Sequence, residues 1–374
     1  MIDQEMIGAL LKGVNGVTWQ ALVMIAISFV LFYLAIVKDY EPLLLLPIGA
    51  GCMLANLPLS PLMDKHGMLT ILYEAGVGNE LYPLLIFIGI GALTDFGPLL
   101  ENPKFVLLGA AGQFGIFLTL LLALALGFKR NEAASIGIIG AIDGPTSIYV
   151  SGILAKHMLG PITVAAYSYM SLVPIIMPPV IYALTTKEER AIRMPYSQRR
   201  ISRRTRIMFP IIVTVVIGTL VPFATPLIGM LMLGNLMKES GAVERLTKAS
   251  SNEIANMVTL FLGLAIGSTM VGVEFLKTQT LFILVLGLLA FGLDCAAGVC
   301  FAKLLNWLSG GKVNPIIGAA GISAFPMAAR VCQRLAQREN FDNFLLMHAM
   351  GANAAGQIAS VVAGGVVLAL MGAG

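Results

Sequence analysis

Long apolar blocks separated by short polar connections run the length of this chain, and a block of about 20 residues is what one helical crossing of a bilayer needs. In the first half the blocks fall at 19–37, 42–57, 82–100, 105–128, 133–154 and 161–184. Residues 1–17 are polar enough to lie at a surface as a short interfacial helix, and Trp19 is placed to anchor the first span at the interface. The connection after the second block carries Asp64, Lys65, His66 and Glu74. Asp95, near the end of the third block and followed by Phe96-Gly97-Pro98, reads as a helix-end residue at the headgroups.

The fifth block is interrupted. Gly137, Gly140, Gly144, Gly152 and Pro145 argue against one continuous helix and for two half-helices meeting near Asp143. A carboxylate inside an apolar run costs a few kcal/mol even on lenient insertion scales, and such residues face a cavity, a partner or an ion path. The local breakers free backbone groups, which is tolerated at membrane depth only in protein or against a cavity. Two readings stand: Asp143 caps a broken helix, or it holds a cation as broken helices do in transporters.

The second half repeats the first. Ile136-Gly137, Gly140 and Pro145 reappear as Ile317-Gly318, Gly321 and Pro326, an offset of 181 positions (140 to 321, 145 to 326). Pro47 with Asn56-Leu57 matches Pro226 with Asn235-Leu236, and Asn79-Glu80 matches Asn252-Glu253. Asp143 aligns with Ala324, so the ionisable group survives in one copy. The connection between the halves holds Lys187, Arg190, Arg193, Arg199, Arg200, Arg203, Arg204 and Arg206, and the positive-inside rule places it in the cytoplasm. The later cations Arg330, Arg334 and Arg338 fall on that same side if both broken segments are re-entrant, which gives the repeats inverted topology and turns both termini outward. The organisation expected is an N-terminal segment and first span (1–41), a first transmembrane repeat (42–184), a basic linker (185–206) and a second transmembrane repeat (207–374).

Composition agrees with this class. Of 374 residues 57% are hydrophobic and 12% charged, with a mean hydropathy of +0.87, far from a soluble domain. The fold class is thus an all-α polytopic membrane protein with an inverted internal repeat and broken, re-entrant helices, multi-pass in the cell (inner) membrane. A net charge of +4 carried in loops is no nucleic-acid footprint. Cys52, Cys295, Cys300 and Cys332 form no CxxC and sit in apolar segments; with three scattered histidines, neither a disulfide nor a zinc site is expected. The residues Met1 to Glu5 lack the basic start of a cleaved signal, so the first span is expected to stay in place.

Two further blocks carry polar residues. The sixth contains Tyr167, Ser168, Tyr169 and Ser171, hydroxyls that bridge helices or line a polar pocket. The last block, 343–371, sets Asn353, Gly356, Gln357 and Ser360 on one helical face at i, i+3, i+4 and i+7. That stripe is either glue between helices, aided by small neighbours, or a set of neutral oxygen ligands completing a shell around Asp143.

Several stretches together give the chain a family likeness: Glu101-Asn102-Pro103-Lys104, Gly109 to Gly115, Asp143-Gly144-Pro145-Thr146, Ala165 to Met170, Leu172-Val173-Pro174 and Ile322 to Arg330. From about Tyr40 onward the chain resembles the beta subunit of the biotin-dependent, sodium-translocating decarboxylases, which act on oxaloacetate, methylmalonyl-CoA, glutaconyl-CoA or malonate. The resemblance implies a membrane subunit that takes the carboxyl group from carboxybiotin on a partner carrier subunit, releases carbon dioxide with uptake of a proton, and couples this to sodium export. It implies a sodium site at Asp143, Tyr169, Asn353, Gly356 and Ser360 with Tyr167 beside them, and catalytic roles for Asp143 and Tyr169, the tyrosine as ligand or proton donor. It implies as partners a carboxyltransferase (alpha) subunit, the biotin carrier subunit, a small single-span gamma- or delta-like subunit and the bilayer, with a homo-oligomer inside the complex. The competing classes are a stand-alone sodium-coupled carboxylate carrier or sodium/proton antiporter, served equally well by broken repeats, and a membrane scaffold.

Overall fold

The fold is that of a computed structural model, which describes residues 12–13, 16–195 and 201–372. The expected interfacial helix at 1–17 and the linker cations Arg199 and Arg200 therefore lie largely outside the described residues. Among the described residues every regular element is helical. Among the described residues five helical stretches are long and apolar enough to cross a membrane, or six with a bent pair counted as one span: Trp19–Ile36, Pro103–Ala125 with its local break, Lys156–Leu184, Thr278–Leu308 and Leu346–Leu370. The chain is an all-α, multi-pass membrane protein. It divides into two compact units, one of residues 1–82 and 256–283, the other of 83–255 and 284–374.

In the first unit Trp19–Ile36, capped by Thr18, packs on the Pro42–Ala55 helix. The latter crosses Ala255–Thr269 so closely that a Cβ on Gly51 would stand 2.3 Å from the Leu264 carbonyl oxygen. Asn56 finishes this contact: its Nδ2 donates to Met270 O at 2.7 Å and its Oδ1 accepts the Gly272 N–H at 2.9 Å. In the second unit the counterpart residue does a parallel job. Asn235, on the Thr225–Ser240 helix, donates from Nδ2 to Thr94 O at 3.2 Å and Gly91 O at 3.4 Å, where the Leu81–Leu93 helix ends. Asp95, just past that end, accepts the Gly97 N–H at 2.8 Å and starts the next short helix, in keeping with a helix-end residue.

Three blocks of the second unit differ from simple spans. The block at 105–128 is interrupted at Gly112-Gln113, between the helices Val106–Ala111 and Phe114–Ala125. The Asp143 block runs as helix Arg130–Gly137, a 3-10 turn Ile138–Ala141 and helix Gly144–Leu154, the expected pair of half-helices. Its counterpart runs as a 3-10 stretch Pro315–Gly321, a bend and turn over 322–326 and the helix Met327–Glu339. Leu159–Leu184, by contrast, stays helical through Pro174, Pro178 and Pro179. The linker's first cations are also used structurally. Arg190 is buried, pairs with Glu339 at 2.8 Å and donates to Thr185 O at 2.6 Å.

One helix tests how tightly the backbones approach. On Thr225–Ser240, a Cβ at Gly234 would fall 2.0 Å from Ile88 O, whereas nothing lies within 4 Å of one at Gly229. Gly234→Ala is expected to lower the thermal unfolding midpoint of the detergent-solubilised protein, an overpacking cost of about 1–3 kcal/mol. Gly229→Ala should hold it or raise it, since alanine favours an exposed helix interior by about 1 kcal/mol over glycine. Equal shifts in the two variants would contradict this crossing.

Candidate functional site

The chain around Asp143 is shaped by its breakers. Ile142 is left-handed, with φ 51° and ψ 45°, an uncommon state for a β-branched residue. Asp143 follows in extended conformation and becomes the N-cap of Gly144–Leu154, with Pro145 in the first turn where its missing N–H costs nothing. Its Oδ1 accepts the Thr146 N–H at 3.4 Å and its Oδ2 the Thr146 hydroxyl at 2.7 Å, while the Ser147 hydroxyl bonds its carbonyl at 2.9 Å. The helix start also supplies partial positive charge to the carboxylate. The capping role is thus real, yet it engages Oδ1 only weakly. Asp143 is 3% exposed, so what it does not receive from the protein it does not receive from bulk water.

The last helix, Leu346–Leu370, brings its polar stripe to the two broken segments. Ser360 Oγ lies 2.9 Å from Asp143 Oδ2 and 3.0 Å from Gln357 O. Asn353 Nδ2 donates to Ile322 O at 2.6 Å, and Gln357 Nε2 donates to Ser323 O. Gly356 sits between them because nothing larger fits: a Cβ there would stand 2.4 Å from Gly321 O and 2.6 Å from Ile322 O. Ser323 in turn donates from its hydroxyl to Ala141 O at 2.7 Å and from its N–H to the same oxygen at 3.2 Å. The two interrupted segments therefore meet at Ala141 and Ser323, and the last helix is bonded to both.

Each amide of the stripe has two ends, and the contact between segments uses one of them. The Asn353 and Gln357 nitrogens are the glue, and their oxygens, Oδ1 and Oε1, are buried without a partner. Tyr167 is buried, its ring lies against Gly144, and its hydroxyl too has no partner. A carboxylate, with unmet amide and phenol oxygens on the residues bonded or packed around it, is a donor set suited to a hard cation. Tyr169 makes a different bond, its ring lying at Gly287 beside Ile139 of the Asp143 block. Two positions on a helix lie about 200° apart around its axis, and Tyr169 donates its hydroxyl to Leu284 O beside Gly287. Of the expected residues, then, the structure brings together Asp143, Ser360, Asn353, Gly356 and Tyr167, and it sets Tyr169 against the Thr278–Leu308 helix.

Two members of this network were not foreseen. Thr146 carries a signal that could have found it, being the third residue after an Asp placed to cap a helix. Ser323 carries none, since its role depends on which backbone carbonyl the fold lays beside it.

Sequence comparison bears on what such a site serves. Residues 20–371 match the family model described as Na+-transporting oxaloacetate decarboxylase beta subunit. The chain belongs to that family. It is 50% identical to the methylmalonyl-CoA decarboxylase subunit beta of Propionigenium modestum, over 96% of this chain and 97% of the relative. It is 51% identical to the glutaconyl-CoA decarboxylase subunit beta of Acidaminococcus fermentans, with 96% of each covered. With the oxaloacetate decarboxylase beta chain 2 of Salmonella typhi the identity is 46%, over 97% of this chain and 98% of the relative. Members of the family are the membrane subunits of multi-subunit sodium-transporting decarboxylases, which sets aside the stand-alone carrier and the scaffold.

The unequal use of polar atoms gives a stability test. Asn353→Leu and Gln357→Leu each strand a buried carbonyl, of Ile322 and Ser323, and are expected to cost about 1–3 kcal/mol. Tyr167→Phe removes a hydroxyl that meets no partner, so its unfolding midpoint should equal or exceed that of the parent. A drop for Tyr167→Phe as large as for the two leucine variants would mean that the phenol is bonded within the protein.

Proposed function

We propose that this chain decarboxylates carboxybiotin presented by a partner biotin carrier subunit and uses that reaction to export sodium. The carbon–nitrogen bond of the carboxylated ureido group breaks, its electron pair stays on nitrogen, carbon dioxide leaves, and a proton is taken up at that nitrogen. The relatives support this division of labour: subunits named for three different acids align with this chain along nearly all of it at 46–51% identity. A step common to all three acids suits this subunit, and choice of the acid belongs to a carboxyltransferase subunit. A small single-span subunit completes the complex. The domain division expected from the sequence, its inverted topology and outward termini are part of the same proposal.

The single observation that carries the site is the buried Asp143 carboxylate bonded to Ser360 inside a network with unmet oxygens. Sodium, the cargo, would be held by Asp143 as the one anion, with Ser360, Asn353 and the backbone at Gly356 as neutral neighbours. Of the two tyrosines, the packing favours Tyr167 for direct contact, as ligand or proton donor. Tyr169, tied to a backbone carbonyl, supports the site through the Thr278–Leu308 helix. Export against 100 mV costs about 2.3 kcal/mol per charge, so the site must open to the two sides in turn and draw on the decarboxylation.

In the complete complex reconstituted in proteoliposomes, Asp143→Asn is expected to abolish sodium-dependent turnover, because it removes the main compensation for dehydrating the ion. Asn353→Ala and Ser360→Ala should raise the half-activating sodium concentration about tenfold to hundredfold, the equivalent of about 1–3 kcal/mol for one unmet polar contact. Asp95→Asn is the control. Normal sodium activation in Asp143→Asn, with loss in Asp95→Asn, would place the ion on another segment.

A further inference from the structure

The spans bury a second carboxylate that the site above does not use. Asp294 lies in the middle of Thr278–Leu308 and is fully buried. Its Oδ1 accepts the backbone N–H of Gly115, and the Ile116 N–H bonds the same carboxyl group. These amides are at the start of Phe114–Ala125, freed by the interruption at Gly112-Gln113. The other oxygen, Oδ2, has no partner and lies against Gly140, where a Cβ would stand 2.6 Å from it. Gly140 precedes Ala141, whose carbonyl receives Ser323, and it stands three positions before Asp143.

A matching contact exists on the other broken segment. Gln113 Nε2 donates to Gly321 O at 3.3 Å and to Gly109 O at 3.2 Å. The offset that pairs Gly140 with Gly321 also pairs Gln113 with Asp294 (113 to 294, 140 to 321). Each broken segment thus meets, at the equivalent glycine, the side chain at the equivalent position of the sequence: Gln113 bonds Gly321 O, and Asp294 packs against Gly140 without a hydrogen bond. An asparagine would serve the two amides through its own Oδ1, so capping alone does not call for a carboxyl group whose second oxygen is unmet at membrane depth, where that is costly.

We infer that Asp294 is a positioning residue for the ion site: bonded to the amide end of Phe114–Ala125 and packed against Gly140, it sets where the backbone delivers Ala141 and Asp143. This rests on the sodium-site reading above. The test is a sodium titration of decarboxylation in the reconstituted complex. Asp294→Ala and Gly140→Ala should each raise the half-activating sodium concentration about tenfold and leave the rate at saturating sodium close to that of the parent. In the double variant the two effects should combine to less than their product, because the oxygen nearest the new methyl is gone and the 3.0 Å approach to Ala290 Cβ is what remains. Asp294→Asn keeps the shape and should shift the sodium requirement less than Asp294→Ala; if the alanine variant does not fold, Gly140→Ala decides the matter alone. Folded Asp294 variants with an unchanged sodium requirement, or single effects that simply multiply, overturn the inference while the loss in Asp143→Asn stands. Sodium activation that survives Asp143→Asn overturns the site reading itself, and this inference with it.

Discussion

A carboxylate buried among apolar helices has to be met by donors, by a proton or by a cation, and much of the second unit is arranged around meeting the one on Asp143. The interruption of its helix supplies a capping amide, Thr146 and Ser360 supply hydroxyls, and a left-handed Ile142 turns the chain so that all three arrive together. None of these is a full ionic partner. The group is therefore held in place by hydrogen bonds without a paired charge, an arrangement that suits the cation site proposed above.

Backbone proximity is what makes that arrangement possible. The last helix can reach the carbonyls of Gly321 and Ile322 only because position 356 has no side chain, and its two amide side chains then anchor those same segments through nitrogen while leaving oxygen unmet. Hydrogen bonds between segments replace the water that a broken helix would recruit in a soluble protein. A movement of the last helix would shift Ser360 relative to Asp143 and strain the Ala141–Ser323 crossing together, so the site and the crossing form one mechanical element.

The family resemblance and the geometry constrain different things. Belonging to the sodium-transporting decarboxylase beta subunits says what kind of complex the chain serves; it leaves open the acid and the atoms on this chain that would meet the ion. The geometry separates two tyrosines that the sequence sets two positions apart, putting Tyr167 on the Asp143 segment and Tyr169 on a backbone carbonyl of another helix. It also adds Asp294, a carboxylate in an apolar run that marks a costly position in the sequence but gains its partners, the Gly115 and Ile116 amides, only through the fold.

The sequence by itself determined the membrane class, the blocks, the interruption at Asp143 and the stripe Asn353, Gly356, Gln357 and Ser360, because these depend on local composition and on the 3.6-residue period of one helix. It also determined the paired motifs around Gly140 and Gly321, since duplicated residues stay visible at a fixed offset. The break at Gly112-Gln113, the structural use of Arg190, the Ala141–Ser323 crossing and the different surroundings of Tyr167 and Tyr169 were decided only in three dimensions. Each of these depends on which distant carbonyl, amide or glycine is laid beside a given side chain. Such partners lie up to about two hundred positions away in the chain, and no local pattern records them.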